Sequence, residues 1–497
     1  VGKPAKVALL GGGLVGAGWA ARLLINGVDV DVYDPDIAGA EQRMRPVLDN
    51  ALRAYRKLTL SPVALKGSLR FCPEIAEAVE GAGFVQESAP ESLEIKRPLL
   101  AQASRCARPD AVIASSSSGL LPSELQDGCE RPERICIGHP FIPVYLMPLV
   151  EVVGGKLTSD GAKRRAAEHY RSIGMHPLIV RKEIDAFLSD RLMESVWREA
   201  LHLVRDGIAT ADEVDQALCY GPGLRWAFMG SFLTYRVGGG AGGMRHFLEH
   251  FRPTLKLPWA RFEAPEFDDE LLDLIAEQSD EQAAGKSIGE LERMRDDCLV
   301  AVLQGLRSCG FAAGEVMRRY ELLLSEAAHP EAWAEGSEAP APLELHRDRA
   351  RDDWVDYNGH LTESRYLQFF GDATDALLRY LGVDPAYNEA GMSYYTVETH
   401  ICHLKEARAG DELRARTRVL ESDAKRIRLF HEMLPAAGDE PLATAEHMML
   451  HVDTRAGRAC EARPGILRAL EAVTRAHSKL ARPGRAGRSI SLAPRNP

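Results

Sequence analysis

Three side chains in the first third of the chain have the types and spacing to take a proton from an alcohol. His139 stands in "ICIGHPFIPVYLMPLVEVVGG", and Glu151 follows twelve positions later inside the apolar run "LVEVV". A glutamate sunk among Leu149, Val150, Val152 and Val153 requires a partner, because an unpaired buried charge is costly. An imidazole titrating near neutrality suits removal of a hydroxyl proton while hydride leaves the same carbon. A carboxylate behind it fixes the tautomer and stabilises the imidazolium that forms. Upstream, "IASSSSGL" puts Ser118 at the end of a strand-like run, where its hydroxyl can hold the substrate oxygen. On residue types alone a second reading stays open: a core histidine bonded to backbone, with Glu151 paired to an unrelated arginine.

The hydride acceptor has its own signature. "GGGLVG" supplies Gly11, Gly13 and Gly16 after the run "KVALL" and before the helical pattern "LVGAGWAARLLING". The next run, "DVDVYDPD", ends on Asp34, with Asp36 close by. Strand, glycine turn, helix and a second strand with a terminal acid form a dinucleotide-binding arrangement. The glycines let backbone approach a pyrophosphate at the helix N-terminus. Asp34 accepts from ribose hydroxyls and repels a 2′-phosphate, so NAD is expected over NADP.

Such residues need a scaffold, and the pattern around them supplies one. Short apolar runs ("GFVQESA", "AVIASSSS", "ICIGHPF", "LVEVVGG", "PLIV") alternate with helical ones, which implies an α/β Rossmann domain over 1–183 with a mostly parallel sheet. From 184 to 328 the spacing is helical throughout, as in "DRLMESVWREALHLVRDGIA", and predicts an all-α domain. The Ala/Pro/Glu/Gly-rich stretch 329–341 reads as a linker. Over 342–475 one long amphipathic pattern, "HLTESRYLQFFGDATDALLRYLG", precedes β-type runs such as "DELRARTRVLES", which predicts an independent α+β domain. The end, 476–497, holds five Lys/Arg and no acid and is expected to be disordered.

Composition narrows the class. A chain of 497 residues with net charge −11 argues against non-specific nucleic-acid binding, and no run approaches the ~20 apolar residues of a membrane span. Nine cysteines without a CxxC pair, and a strand beginning almost at once, favour a reduced cytoplasmic setting. No metal site is expected.

Residues 5 to about 325 resemble the 3-hydroxyacyl-CoA dehydrogenase family, which joins a Rossmann domain to a helical dimerisation domain. The resemblance implies catalytic roles for Ser118, His139 and Glu151, and a homodimer. Through "SAPESLEIK" it implies that Glu91 and Lys96 lie beside the nicotinamide. "AFLSDRLMESVWREALHLV" and "GPGLRWAFMG" are most similar to the carnitine-oxidising branch. Two positions depart from the wider family. Ile142 stands where an Asn is usual, and Asp190 stands where acyl-CoA enzymes carry Asn. Carnitine carries a quaternary ammonium, which is held by aromatic faces and by carboxylates. Phe141, Trp226, Phe251 and Asp190 are the expected substrate-binding residues.

"RDDWVDYNGHLTESRYLQFF" resembles the entry motif of hotdog-fold acyl-CoA thioesterases, which implies a CoA thioester substrate and a catalytic role for Asp356 at a helix N-terminus. The pairing is similar to fusions that oxidise L-carnitine to 3-dehydrocarnitine and hydrolyse betainyl-CoA to glycine betaine and CoA. The alternative expectation is a dehydrogenase of another 3-hydroxy acid or 3-hydroxyacyl-CoA with a non-catalytic hotdog module.

Overall fold

The structure, a computed structural model, describes residues 3–59, 63, 65–328, 332–350 and 354–490. The chain divides into two compact units, Val1–Leu324 and Ser325–Pro497.

The first unit is built on eight strands: β1 (Lys6–Leu10), β2 (Asp29–Tyr33), β3 (Leu69–Cys72), β4 (Phe84–Glu87), β5 (Val112–Ser115), β6 (Ile135–Pro140), β7 (Leu149–Gly154) and β8 (His176–Val180). They form one sheet in the order β3-β2-β1-β4-β5-β6-β7-β8. Every pairing is parallel except β6 with β7. Helices cover both faces, so the central strands are buried on both sides and read as continuous apolar runs. The chain reverses its direction of winding between β1 and β4, the switch point where such sheets bind ligands. The antiparallel β6–β7 pair sets His139 directly opposite Glu151 in register.

Helices follow from Ser189. The pair Ile288–Cys309 and Ala313–Ala328 packs Val300, Leu303, Met317 and Tyr320 onto Ala51, Ala54 and Tyr55 of the Rossmann helix Ile37–Leu58. The helices between 211 and 251 bury no side chain of their own, and Tyr220, Phe232, Trp259 and Phe262 nearby are exposed. Unit 1 thus keeps the sheet and these helices together.

In the second unit β9 (Leu343–Arg349), β10 (Met392–His403), β11 (Glu412–Ser422), β12 (Arg426–Pro435) and β13 (Ala443–Asp453) form an antiparallel sheet in the order β10-β13-β12-β11-β9, with β14 (Arg458–Ala459) beside β13. The helix Glu363–Tyr380 buries Phe369, Phe370, Ala373 and Leu377 against it, the hotdog arrangement. Of the stretch read as a linker, 329–331 lie outside the described residues. The rest is held to this unit: Trp333 N donates to Tyr380 O, and His477 Nε2 bonds Pro340 O. The basic end begins as the last turn of the helix Pro464–His477. Beyond it Ala481 O accepts from Arg418, and Gly487 N donates to Glu446 at 2.6 Å. Residues 491–497 lie outside the described residues. No helix among the described residues is long and apolar enough to cross a membrane.

Candidate active site

Strand pairing brings the His139 ring onto Glu151. His139 Nδ1 lies 3.0 Å from Glu151 Oε2, with the histidine 4% and the glutamate 0% exposed. The other carboxylate oxygen, Oε1, accepts from the backbone N–H groups of Leu188 and Ser189, both at 3.1 Å, where the first long helix after the sheet begins. Burial alone would raise this carboxyl, but the bonds from His139, Leu188 and Ser189 outweigh it and hold Glu151 below the usual carboxylate range. An ionised Glu151 takes the Nδ1 proton of the imidazole as a hydrogen bond and leaves Nε2 bare, ready to act as base. Phe141 and the fully buried Phe187 flank the ring at 5.0 and 5.6 Å between centroids.

Asp190 faces the bare nitrogen. Its Oδ2 is 3.6 Å from His139 Nε2, and its side chain is only 16% exposed. Burial, with Glu151 and Glu194 nearby, pushes this carboxyl up against the pull of His139. No lysine or arginine pairs with it among the described residues.

The glycine loop has the shape of a phosphate cradle. Gly11 adopts φ +112°, and a Cβ there would lie 2.7 Å from Ser88 O. A Cβ at Gly16 would lie 2.0 Å from Gly11 O, so this glycine is required by the fold itself. A Cβ on Gly13, which caps the helix Leu14–Ile25, would meet nothing within 4 Å; that open space at a helix N-terminus fits a pyrophosphate. Asp34 ties the loop to the end of β2, accepting from Gly12 N at 2.7 Å and Asp36 N at 2.9 Å, and its oxygens keep lone pairs for a ribose. Asp36 caps the next helix through Gly39 N.

Lys96 lies in a buried charged cluster. Its side chain is 1% exposed, and its ammonium is consumed by Glu87 at 2.8 Å, Ala89 O at 2.9 Å and Glu91 at 3.4 Å. A buried ammonium needs carboxylates around it, and this lysine holds Glu87 and Glu91. Glu91 accepts from Ser117 Oγ and from the backbone N–H groups of Ser118 and Gly119, while Ser118 itself is exposed.

Trp226 and Phe251 are likewise not joined to His139. Trp226 is 46% exposed, and Phe251 packs on Phe247 and His250 at 4.5 and 4.8 Å. Their helices bury nothing within the chain, so no core draws these rings toward the sheet. Ile142 is exposed, and its side chain takes no part in the His139–Glu151 contact.

In the second unit Asp356 caps its own turn. Oδ1 accepts from Asn358 N at 2.8 Å and His360 N at 3.3 Å, which lowers the carboxyl below its usual range. This corrects its expected place at the helix N-terminus: the helix starts at Glu363, and an Asp two residues before a turn N–H satisfies that donor first. His360 Nε2 lies 3.1 Å from Glu406.

Sequence reasoning missed the amides of Leu188 and Ser189, the Phe187 wall and the Glu87–Lys96 pair. Backbone donors carry no residue-type signal. Lys96 did, but its partner Glu87 was not among the expected residues.

Residues 6–184 match the family profile of the 3-hydroxyacyl-CoA dehydrogenase NAD binding domain, residues 187–276 that of the 3-hydroxyacyl-CoA dehydrogenase C-terminal domain, and residues 350–470 the thioesterase-like superfamily. The cofactor is accordingly NAD. The chain is 48% identical over 496 residues to an L-carnitine dehydrogenase/betainyl-CoA thioesterase of Rhizobium meliloti (strain 1021), covering 98% of each protein. It is 53% identical over 312 residues to the L-carnitine dehydrogenase of Pseudomonas aeruginosa, covering 62% of this chain and 97% of that one. A crystallised NAD+-dependent dismutase, 5-formyl-3-hydroxy-2-methylpyridine 4-carboxylic acid 5-dehydrogenase, shares the fold of the first unit at TM-score 0.50 and 26% identity, covering 60% of this chain and 97% of that chain. With a His139–Glu151 pair on the sheet of the first unit, a thioesterase-like domain in the second and this likeness along almost the whole length, the chain is an enzyme that belongs to the L-carnitine dehydrogenase/betainyl-CoA thioesterase family.

Proposed function

We propose that the first unit oxidises L-carnitine to 3-dehydrocarnitine and that the second hydrolyses betainyl-CoA to glycine betaine and CoA. One observation carries the choice of substrate: Asp190, a largely buried carboxylate without a lysine or arginine partner among the described residues, stands 3.6 Å from the base nitrogen. A substrate that brings its own fixed cation next to the reacting hydroxyl supplies the missing charge, with the Phe141 ring beside it. The relatives that match along the full chain bear names with the same two activities.

His139 Nε2 takes the hydroxyl proton, and Glu151 stabilises the imidazolium through Nδ1. Ser118 holds the substrate oxygen. Bound NAD supplies the acceptor for the hydride leaving the carbinol carbon. Asp190 then faces two positive charges, the ammonium and the new imidazolium, which favours the charge-developing step. In the second unit Asp356 is the proposed base or nucleophile toward the thioester, with Asn358 and His360 shaping its turn.

We also infer a homodimer in the cytoplasm. The exposed aromatic side chains of segment 211–262 and the edge strand β10, with Tyr395 and Val397 outside, are surfaces that a second copy would cover.

The full chain, given NAD with L-carnitine, 3-hydroxybutyryl-CoA or L-gulonate, should form NADH with carnitine. It should separately release thiol from betainyl-CoA. Preference for the acyl-CoA, or no thiol release, overturns the corresponding half.

A further inference from the structure

Glu91 lies beside the loop that follows β5, and its contacts concern that loop. Oε1 accepts three donors in succession: the hydroxyl of Ser117, then the N–H of Ser118 and the N–H of Gly119, both at 3.1 Å. Ser117 is itself buried, and its oxygen accepts from Leu120 N at 3.1 Å, which closes the turn. On the other side, Oε2 is 3.4 Å from the Lys96 ammonium, which Glu87 anchors at 2.8 Å in a wholly buried pair. Glu87 in turn accepts from Ser115, the last residue of β5. The ends of β4 and β5 and the turn beyond them are therefore bound into one charged network.

Ser118 is fastened by its backbone and open at its hydroxyl. Its N–H is committed to Glu91, while Oγ makes no hydrogen bond among the described residues and the residue is exposed. A side chain that must meet a substrate oxygen needs this combination, because a hydroxyl aims only as well as its Cα is fixed.

We propose that Glu91 is a positioning residue for Ser118: its carboxylate, braced by Lys96, sets the turn from which the serine hydroxyl reaches the substrate alcohol. This rests on Ser118 touching substrate, which the serine variant tests by itself. Glu91 acts here through backbone geometry, and NAD need not contact it.

A double-mutant cycle on the full chain separates the roles. Carnitine oxidation and NAD affinity are measured for the parent, Glu91→Ala, Ser118→Ala and the double variant. Glu91→Ala should lower kcat about tenfold and leave the KM and Kd for NAD within twofold. In the Ser118→Ala background it should cost less than twofold more. Glu91→Gln keeps an acceptor oxygen for the turn and should recover most of kcat. A tenfold weaker NAD with unchanged kcat would make Glu91 a cofactor ligand. Fully multiplicative losses, or Ser118→Ala at parental activity, would equally overturn the assignment. If Glu91→Ala does not fold, the same cycle with Glu91→Gln decides through its smaller loss, expected only when Ser118 is present.

Discussion

Asp190 Oδ2 stands 3.6 Å from His139 Nε2, on the side of the imidazole opposite the 3.0 Å contact to Glu151. The base thus lies between two carboxylates, of which only Glu151 is satisfied by backbone donors. At about 4 Å and an effective dielectric of about 20, an ion pair is worth about 4 kcal/mol before desolvation is charged against it. Asp190→Asn should therefore lower kcat/KM for carnitine by about 10- to 100-fold. The uncharged carbon isostere, 3-hydroxy-5,5-dimethylhexanoate, should lose little. A carnitine-to-isostere ratio equal to that of the parent would remove Asp190 from ammonium recognition.

Glu151→Gln keeps the size of the side chain and removes the charge behind the imidazole. The amide can still accept from Leu188 and Ser189 through one oxygen, but the group facing His139 becomes a donor. General base catalysis contributes about 10²–10⁴-fold, and most of that should vanish from kcat while NAD affinity stays put. Stopped-flow measurement of the hydride step checks this; a loss confined to KM would contradict it.

Gly13 and Gly16 separate cofactor space from fold space. Gly16→Ala forces a Cβ to within 2.0 Å of Gly11 O and should destabilise the first unit even without NAD. Gly13→Ala adds a methyl group to open space and should leave the melting temperature of the apoprotein unchanged. It should weaken NAD at least tenfold, because that space lies where the pyrophosphate approaches. Calorimetry with and without NAD distinguishes the two.

Asp356→Asn should reduce betainyl-CoA hydrolysis by at least 100-fold, with carnitine oxidation within twofold of the parent. The Asn side chain still accepts from Asn358 N and His360 N, so the turn survives the change. Unchanged hydrolysis would show that Asp356 only caps its turn.

Acid should weaken the second unit through buried histidines. Burial holds His447 down to about 4, and burial with His447 and His346 nearby holds His431 well below its ordinary value. In the unfolded chain both bind a proton near pH 6.5. Their contribution is complete above that pH and is lost as the pH falls below 6.5, for His447 down to about 4. By pH 5 His447 alone should cost about 2 kcal/mol. Denaturant titrations at pH 7 and pH 5 on the parent and on His447→Leu test this, and equal pH dependence in both would refute it.

The dehydrogenase centre was legible because its residue types are compulsory. Only glycine tolerates Gly11's backbone and Gly16's contact, and a glutamate inside "LVEVV" had to find a partner. What escaped notice was chemistry carried by backbone. Arg22 sits in the apolar helix "LVGAGWAARLLI" and is 2% exposed. It donates to five carbonyls, those of Val144, Tyr145, Met147, Ile173 and Gly174, and so fastens the chain after the catalytic loop to the glycine-loop helix. Carbonyls are the same at every position, so no pattern announces them. The basic end misled for a related reason: composition weighed its Gly, Pro and Arg, but not the N–H of Gly487 that Glu446 receives.

Because one oxygen of Glu151 grips the imidazole and the other rests on the first two amides around the Ser189 helix start, the base acts as a latch on that joint. The strength of the base therefore depends on where that helix begins, through two amides that never touch the ring.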